Sequence, residues 1–225
     1  MTLPIYTVPI HIDLYADVAC PWCYIGEARL EEALSARPDL AVTRSWRPFQ
    51  LQPQLPPEGV AWRGFAERKF GGWERALAMF EQVGGVGREV GLAFDFADIQ
   101  KANNTADAHR LVLLAERQGV GPAAARGLFR AYFEVGQDLN SLDALLEVAE
   151  AAGLPREETR RYLGGDDGKA AVAESQREAA ELGVQGVPFY VFNRAYGVSG
   201  AQPVSVLTDV LDRLQEDRLK EEVKT

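Results

Sequence analysis

Among 225 residues the sequence holds two cysteines, Cys20 and Cys23, and two histidines, His11 and His109. Two thiols two residues apart can exchange disulfides, help to hold a metal, or sit inert in a helix turn. Zinc asks for about four ligands, and neither histidine is spaced as a ligand pair, so no metal is expected. In a reducing compartment a structural disulfide is a poor explanation for the pair, which favours redox chemistry over two inert thiols. The thiolate is the nucleophile. Cys20 precedes Pro21, and proline suits a first helical position because its missing N–H needs no partner there. Cys20 then stands at the helix N-cap. Unpaired N–H groups and the positive end of the helix dipole favour a thiolate at that place. Cys23, one turn further in, is the shielded, resolving thiol.

The elements that must position this pair can be read from the flanking pattern. Ile10-His11-Ile12-Asp13-Leu14-Tyr15 alternates as a strand does. A helix follows from Pro21 to about Arg37, stopped by Pro38, and Leu40 to Trp46 reads as a second strand. Residues 50–168 then carry helical periodicity almost throughout. Trp73, Leu77, Phe80 and Val83 form one apolar stripe, and Leu128, Phe129, Tyr132 and Phe133 another; both are expected in the core. Asn104-Thr105 caps a helix that ends at Gly119, Ser141 caps another that ends at Gly153, and Gly84, Gly85 and Gly87 read as a helix break. The tail gives a helix over 169–182, a strand over 188–192 that starts at Pro188, a turn, a returning strand over 196–199, a helix over 204–219 and a frayed polar end at 220–225. The expected fold class is α/β. The sheet domain is discontinuous, 1–50 and 169–225, and is interrupted by an all-helical subdomain over 51–168, because a structureless loop of that length is improbable.

Asp17-Val18-Ala19-Cys20-Pro21-Trp22-Cys23-Tyr24-Ile25-Gly26 resembles the active site of DsbA-family proteins on a thioredoxin fold, and most of all the FrnE-like branch. Gly186 to Asn193 with Tyr196 to Gln202, and Asn104-Thr105 with Ala108 to Leu111, resemble further segments of that branch. The resemblance covers nearly the whole chain. It implies thiol–disulfide exchange by Cys20 and Cys23 and a cis Val187–Pro188 bond beside them. It also places Pro21, Trp22, Val187, Asn104 and His109 around the active-site loop and the substrate. No cofactor is implied beyond the dithiol, with glutathione a candidate reductant. Asp13 resembles the buried acid that thioredoxin folds hold near the resolving cysteine as a proton acceptor, whereas Asp17 is expected in an exposed loop. His109 reads as a satisfied helix histidine with a role near the site left open, His11 as structural, and Arg110 as able to bind an anion. DsbA has histidine where this chain has Trp22, so the strongly oxidising character of DsbA does not carry over.

Composition narrows the partners. A formal charge of −9 repels phosphate backbones, so nucleic acid is not expected, and no apolar run is long enough for a membrane span. The N-terminus lacks the basic and apolar regions of a secretory signal, which points to the cytoplasm and to thiol or disulfide substrates there. Two other functions compete with redox exchange. Kappa-class glutathione transferases and 2-hydroxychromene-2-carboxylate isomerases resemble this architecture, but they generally carry serine at the position of Cys20. A chaperone-like module with incidental cysteines is the third reading. Oligomeric state and the direction of electron flow are not legible.

Overall fold

The computed structural model describes residues 9–222. The chain opens with β1 (Ile10–Ala16), α1 (Pro21–Ser35) and β2 (Val42–Pro48). It then enters β3 (Val60–Ala61), α2 (Trp62–Phe70), α3 (Trp73–Glu89) and β4 (Lys101–Ala102). Four helices follow: α4 (Ala106–Arg117), α5 (Gly121–Phe133), α6 (Leu142–Ala151) and α7 (Arg156–Gly164). The chain closes with α8 (Lys169–Glu181), β5 (Phe189–Phe192), β6 (Tyr196–Ser199) and α9 (Val204–Glu222).

The main sheet has the order β2-β1-β5-β6. β1 runs parallel to β2, with Leu14 opposite Trp46, and antiparallel to β5, with Asp13 opposite Val191. A parallel neighbour needs a crossover, and α1 supplies it. Successive side chains of a strand face opposite ways, and both faces of β1 are covered. Ile12 and Leu14 join Trp46, Leu30 of α1, Phe129 of α5 and Leu211 of α9 in the principal core. Tyr15 turns the other way and packs with Phe49, Ala179 of α8 and Val184. Each fully buried side chain of this size stabilises the fold by about 1.5–3 kcal/mol relative to exposure. The principal core runs without a break from the sheet into α4, α5 and α6.

Four expectations need correction. The segment 51–168 is not wholly helical, because β3 and β4 form a two-residue antiparallel ladder with Val60 opposite Ala102. Gly84, Gly85 and Gly87 do not break α3. Gly87 is a point of close approach, where a Cβ would collide with the ring of Phe94. The stripe on α3 is only partly core: Val83 is buried, Trp73 and Phe80 are half-buried, and Leu77 is 48 % exposed. The polar end does not fray at residue 220, since α9 continues through Glu222; residues 223–225 of that expectation, like residues 1–8 of the first domain segment, lie outside the described residues.

Candidate active site

β1 ends at Ala16, and a short turn carries the chain to Cys20, the N-cap of α1, with φ −104° and ψ 111°. Pro21 occupies the first turn, and no side-chain oxygen caps the helix. The backbone carbonyl of Cys20 accepts from the Cys23 N–H at 3.0 Å, which closes that turn. Both cysteines are free thiols; Cys20 is 5 % exposed and Cys23 1 %. The Cys20 Sγ–H donates to the carbonyl oxygen of Val187 at 3.6 Å. The Val187–Pro188 peptide bond is cis, and Pro188 packs against Gly26, where a Cβ would come within 2.9 Å of its ring. Burial, together with the neighbouring Cys20, pushes the Cys23 thiol far above the ordinary value, so Cys23 rests protonated. Trp22 is half-buried and, with Cys20 and Pro21, faces a cavity.

The carboxylate beside this pair is Asp17, not Asp13. Asp17 is buried. Its Oδ1 accepts from the Ala19 N–H at 3.1 Å and its Oδ2 from the Leu51 N–H at 2.8 Å. Burial works against its charge, but the adjacent His109 ring and these two N–H groups outweigh burial and hold the carboxyl below its ordinary value. The Asp17 carbonyl accepts from the Cys20 N–H at 3.0 Å, which holds this turn against the cysteine pair. The sequence did hold a signal for this place: an aspartate whose side chain accepts from the N–H two residues on makes an Asx turn, and that turn folds the carboxylate inward.

His109, on α4, is fully buried and lies 3.5 Å from Asp17, Nε2 to Oδ1. The Trp46 indole N–H donates to His109 Nδ1 at 3.1 Å. Indole nitrogen is a donor only, so Nδ1 must accept and the ring proton is on Nε2, toward Asp17. Trp46 thereby fixes the tautomer. Trp46 went unnoticed in the sequence because its partner lies 63 residues away.

Asp13 is buried but engaged elsewhere. Its Oδ1 accepts from Arg47 Nε at 2.6 Å and lies 3.2 Å from His11 Nε2. Strand alternation puts it on the Tyr15 face with α8, whereas Cys23 packs on the Leu14 face. Asn104 ties loops together: its Nδ2 donates to the Leu55 carbonyl at 2.6 Å and its Oδ1 accepts from Gln50 Nε2 and the Ala106 N–H. It does not line the cavity at Cys20; its neighbours Asn103 and Thr105 do. Arg110 cannot bind an anion. It is buried and spends its donors on the carbonyls of Tyr162, Leu163, Gly165 and Asp167 and on Asp107, which closes the C-terminal end of α7. No group of three or more potential metal-ligating His, Cys, Asp or Glu side chains exists among the described residues.

A family model described as DSBA-like thioredoxin domain matches residues 11–212. The crystal structure of a probable DsbA oxidoreductase from Streptomyces coelicolor superimposes with a TM-score of 0.84 at 37 % identity, covering 91 % of this chain and 89 % of that one. The cytosolic disulfide reductase DsbM from Pseudomonas aeruginosa, solved with GSH, has the same fold, with a TM-score of 0.64 at 22 % identity over 91 % of this chain and 99 % of that one. The uncharacterized protein YwbO of Bacillus subtilis is 26 % identical over 145 residues, 64 % of this chain and 67 % of that protein.

Proposed function

We propose that this chain, which belongs to the DSBA-like thioredoxin domain family, exchanges thiols and disulfides through Cys20 and Cys23, with Cys20 attacking and Cys23 resolving. The observation that carries the reading is the placement of the two sulfurs: Cys20 at an otherwise uncapped helix N-terminus and Cys23 one turn deeper, with burial holding its proton. The Cys20 thiolate attacks one sulfur of a substrate disulfide, and the other sulfur leaves as a thiolate. Cys23 loses its proton and attacks the Cys20 sulfur of the mixed disulfide. The second substrate thiolate leaves, the enzyme dithiol is oxidised to a disulfide, and the substrate disulfide is reduced to two thiols. The same steps run backwards when the enzyme starts oxidised.

Cys23 must give up its proton during resolution. The Asp17 carboxylate, with the Nε2–H of His109 facing it, is the buried base beside it, and in this reading Asp17 receives that proton, the role first assigned to Asp13. Pro188 and Val187 then flank the bound substrate sulfur, and Pro21 and Trp22 shape the loop. The division into a discontinuous sheet domain, 1–50 with 169–225, and a helical subdomain, 51–168, belongs to the same proposal, as do protein or glutathione thiols as partners and a cytoplasmic location. No helix among the described residues is long and apolar enough to cross a membrane. Limited alkylation of the reduced protein tests the roles: Cys20 should be labelled first, and preferential labelling of Cys23 would reverse the assignment.

A further inference from the structure

Cys20 and Trp22 form one wall of a cavity of about 190 Å³ that no step described so far uses. Its other walls come from α2, α3 and α5, and most of them are apolar. An apolar protein cavity of about 150 Å³ takes up benzene, so this space has room for one aromatic ring with a substituent. The lining is already arranged for flat groups. Trp62, Phe80 and Phe96 stack in sequence, with ring centroids 5.5 Å apart for the first pair and 4.6 Å for the second, and planes within 22° and 14° of parallel. From α3, Met79, Phe80 and Val83 face this space, and Met79 is exposed.

Two polar features in the lining point to a ligand. Asn103 is 3 % exposed, and its Nδ2 has no acceptor. Its orientation is fixed from outside. Asn140 Nδ2 donates to Asp138 Oδ1 at 2.7 Å and also to Asn103 Oδ1, so the Asn103 oxygen is taken and its N–H₂ group is left for an acceptor. Lys69 is the cation in the lining. Its Nζ lies 5.4 Å from the Phe65 ring centroid and 5.8 Å from that of Phe70, and no ion pair engages it among the described residues. The overall charge of −9 makes this local cation the more notable. The other charged group in the lining, Asp17, is engaged by His109.

We propose that this cavity is a substrate site for small aromatic disulfides that carry a carboxylate, with the ring on the Trp62–Phe80–Phe96 stack, the carboxylate at Lys69, a hydrogen-bond acceptor at Asn103 and the disulfide sulfur at Cys20. The inference rests on the reading of Cys20 as the attacking thiol. In the step itself Cys20 bonds to one sulfur of the aryl disulfide and the other departs as an aryl thiolate. Cys23 then displaces the second aryl thiolate, so that the enzyme dithiol supplies both electrons. A pocket of one-ring size favours a small molecule over an extended polypeptide.

Three chromogenic or coupled probes test the assignment on the reduced full chain: dithiobis-nitrobenzoate (aromatic, anionic), dithiodipyridine (aromatic, neutral) and hydroxyethyl disulfide (aliphatic). Each rate is divided by that of dithiothreitol with the same probe, which removes intrinsic reactivity. The proposal expects the normalised rate for the anionic aryl probe to exceed that of the aliphatic one by about tenfold or more, as burial of one ring implies. Lys69→Gln, an exposed position that does not threaten the fold, should lower the anionic-to-neutral aryl ratio by about threefold. Phe80→Ala should lower the aryl-to-aliphatic ratio by about tenfold. Equal normalised rates, or reduction of insulin disulfides with no aryl preference, would overturn the site while leaving the redox reading intact. A second measurement does not need the redox chemistry: calorimetric binding of methylthiobenzoate to the Cys20→Ser, Cys23→Ser protein. Binding that weakens with Lys69→Gln supports the site even if the wild type exchanges no disulfides, and absence of binding overturns it.

Discussion

Glu116→Gln should make the protein more stable at pH 8 and leave it unchanged near pH 4. Glu116 lies in α4, accepts the backbone N–H of Trp46, and is pushed up to about 7 by burial, which the Trp46 N–H and the charges of Arg47 and Arg44 only partly oppose. In the unfolded chain the same carboxyl ionises near 4.3. Because the folded value is raised, the folded state retains a proton that the unfolded state releases. Stability is therefore full below about pH 4.5, falls as pH rises toward about 7, and stays reduced above it. A displacement of that size sets a ceiling of about 3 kcal/mol. Solvent reaches the half-buried side chain, and screening reduces the expected effect to about 1–2 kcal/mol. For a chain of this length that corresponds to about 2–8 °C in melting temperature. Glutamine keeps the acceptor for Trp46 and removes the charge. Thermal melts of wild type and variant at pH 4 and pH 8 measure the effect. An equal gain at both pH values, or a loss at pH 8, would refute the argument. The same variant reports on the site, because Trp46 also holds His109.

Arg110→Lys should destabilise the protein by about 3 kcal/mol or more in denaturant titration, since lysine cannot reproduce the planar fork that serves several carbonyls; near-wild-type stability would show that the clamp is dispensable. Asp17→Asn should cost about 2 kcal/mol above pH 4, by weakening charge-assisted hydrogen bonds to Ala19 and Leu51. The penalty should vanish as pH falls through the depressed folded value, because the aspartate contribution is itself lost there. In stopped-flow traces the same variant should lengthen the life of the mixed disulfide, and unchanged resolution would remove Asp17 as the acceptor of the Cys23 proton. Trp22→His should raise the reduction potential from the thioredoxin-to-isomerase range, about −270 to −180 mV, toward about −120 mV for DsbA, as read by titration in glutathione buffers; a more reducing variant would contradict this.

The strand–helix–strand unit around the cysteines was legible because each piece carries a local signal: alternation in β1, Pro21 at the start of α1 and Pro38 beyond its end. Within the helical stretch the bounds of α7 were not legible, because Arg-Glu-Glu-Thr-Arg-Arg leaves only Thr159, Tyr162 and Leu163 to bury, too few to show a period. The bounds of α2 were not legible either, because its large apolar groups, Trp62, Phe65 and Phe70, border a cavity rather than form one core stripe. The glycines of α3 looked like breakers, yet Gly87 is small to admit Phe94. At the site, Asp13 and Asp17 are separated by one end of a strand. Choosing between them required knowing which face of β1 receives α1 and that the turn after β1 folds Asp17 inward. His109 and Trp46 meet only through the packing of α4 on β2, which no short-range pattern encodes. Lys69 and Asn103 gain meaning only from the cavity that joins them.

The most direct test of the central claim is to trap the mixed disulfide. Reduced Cys23→Ser protein is mixed with a substrate disulfide, quenched with acid and mapped by mass spectrometry, beside Cys20→Ser treated in the same way. The account predicts that Cys23→Ser accumulates one adduct on Cys20 and that Cys20→Ser accumulates none on the buried Cys23 over the same interval. An adduct on Cys23 at a comparable rate, or no adduct in either variant, would contradict it.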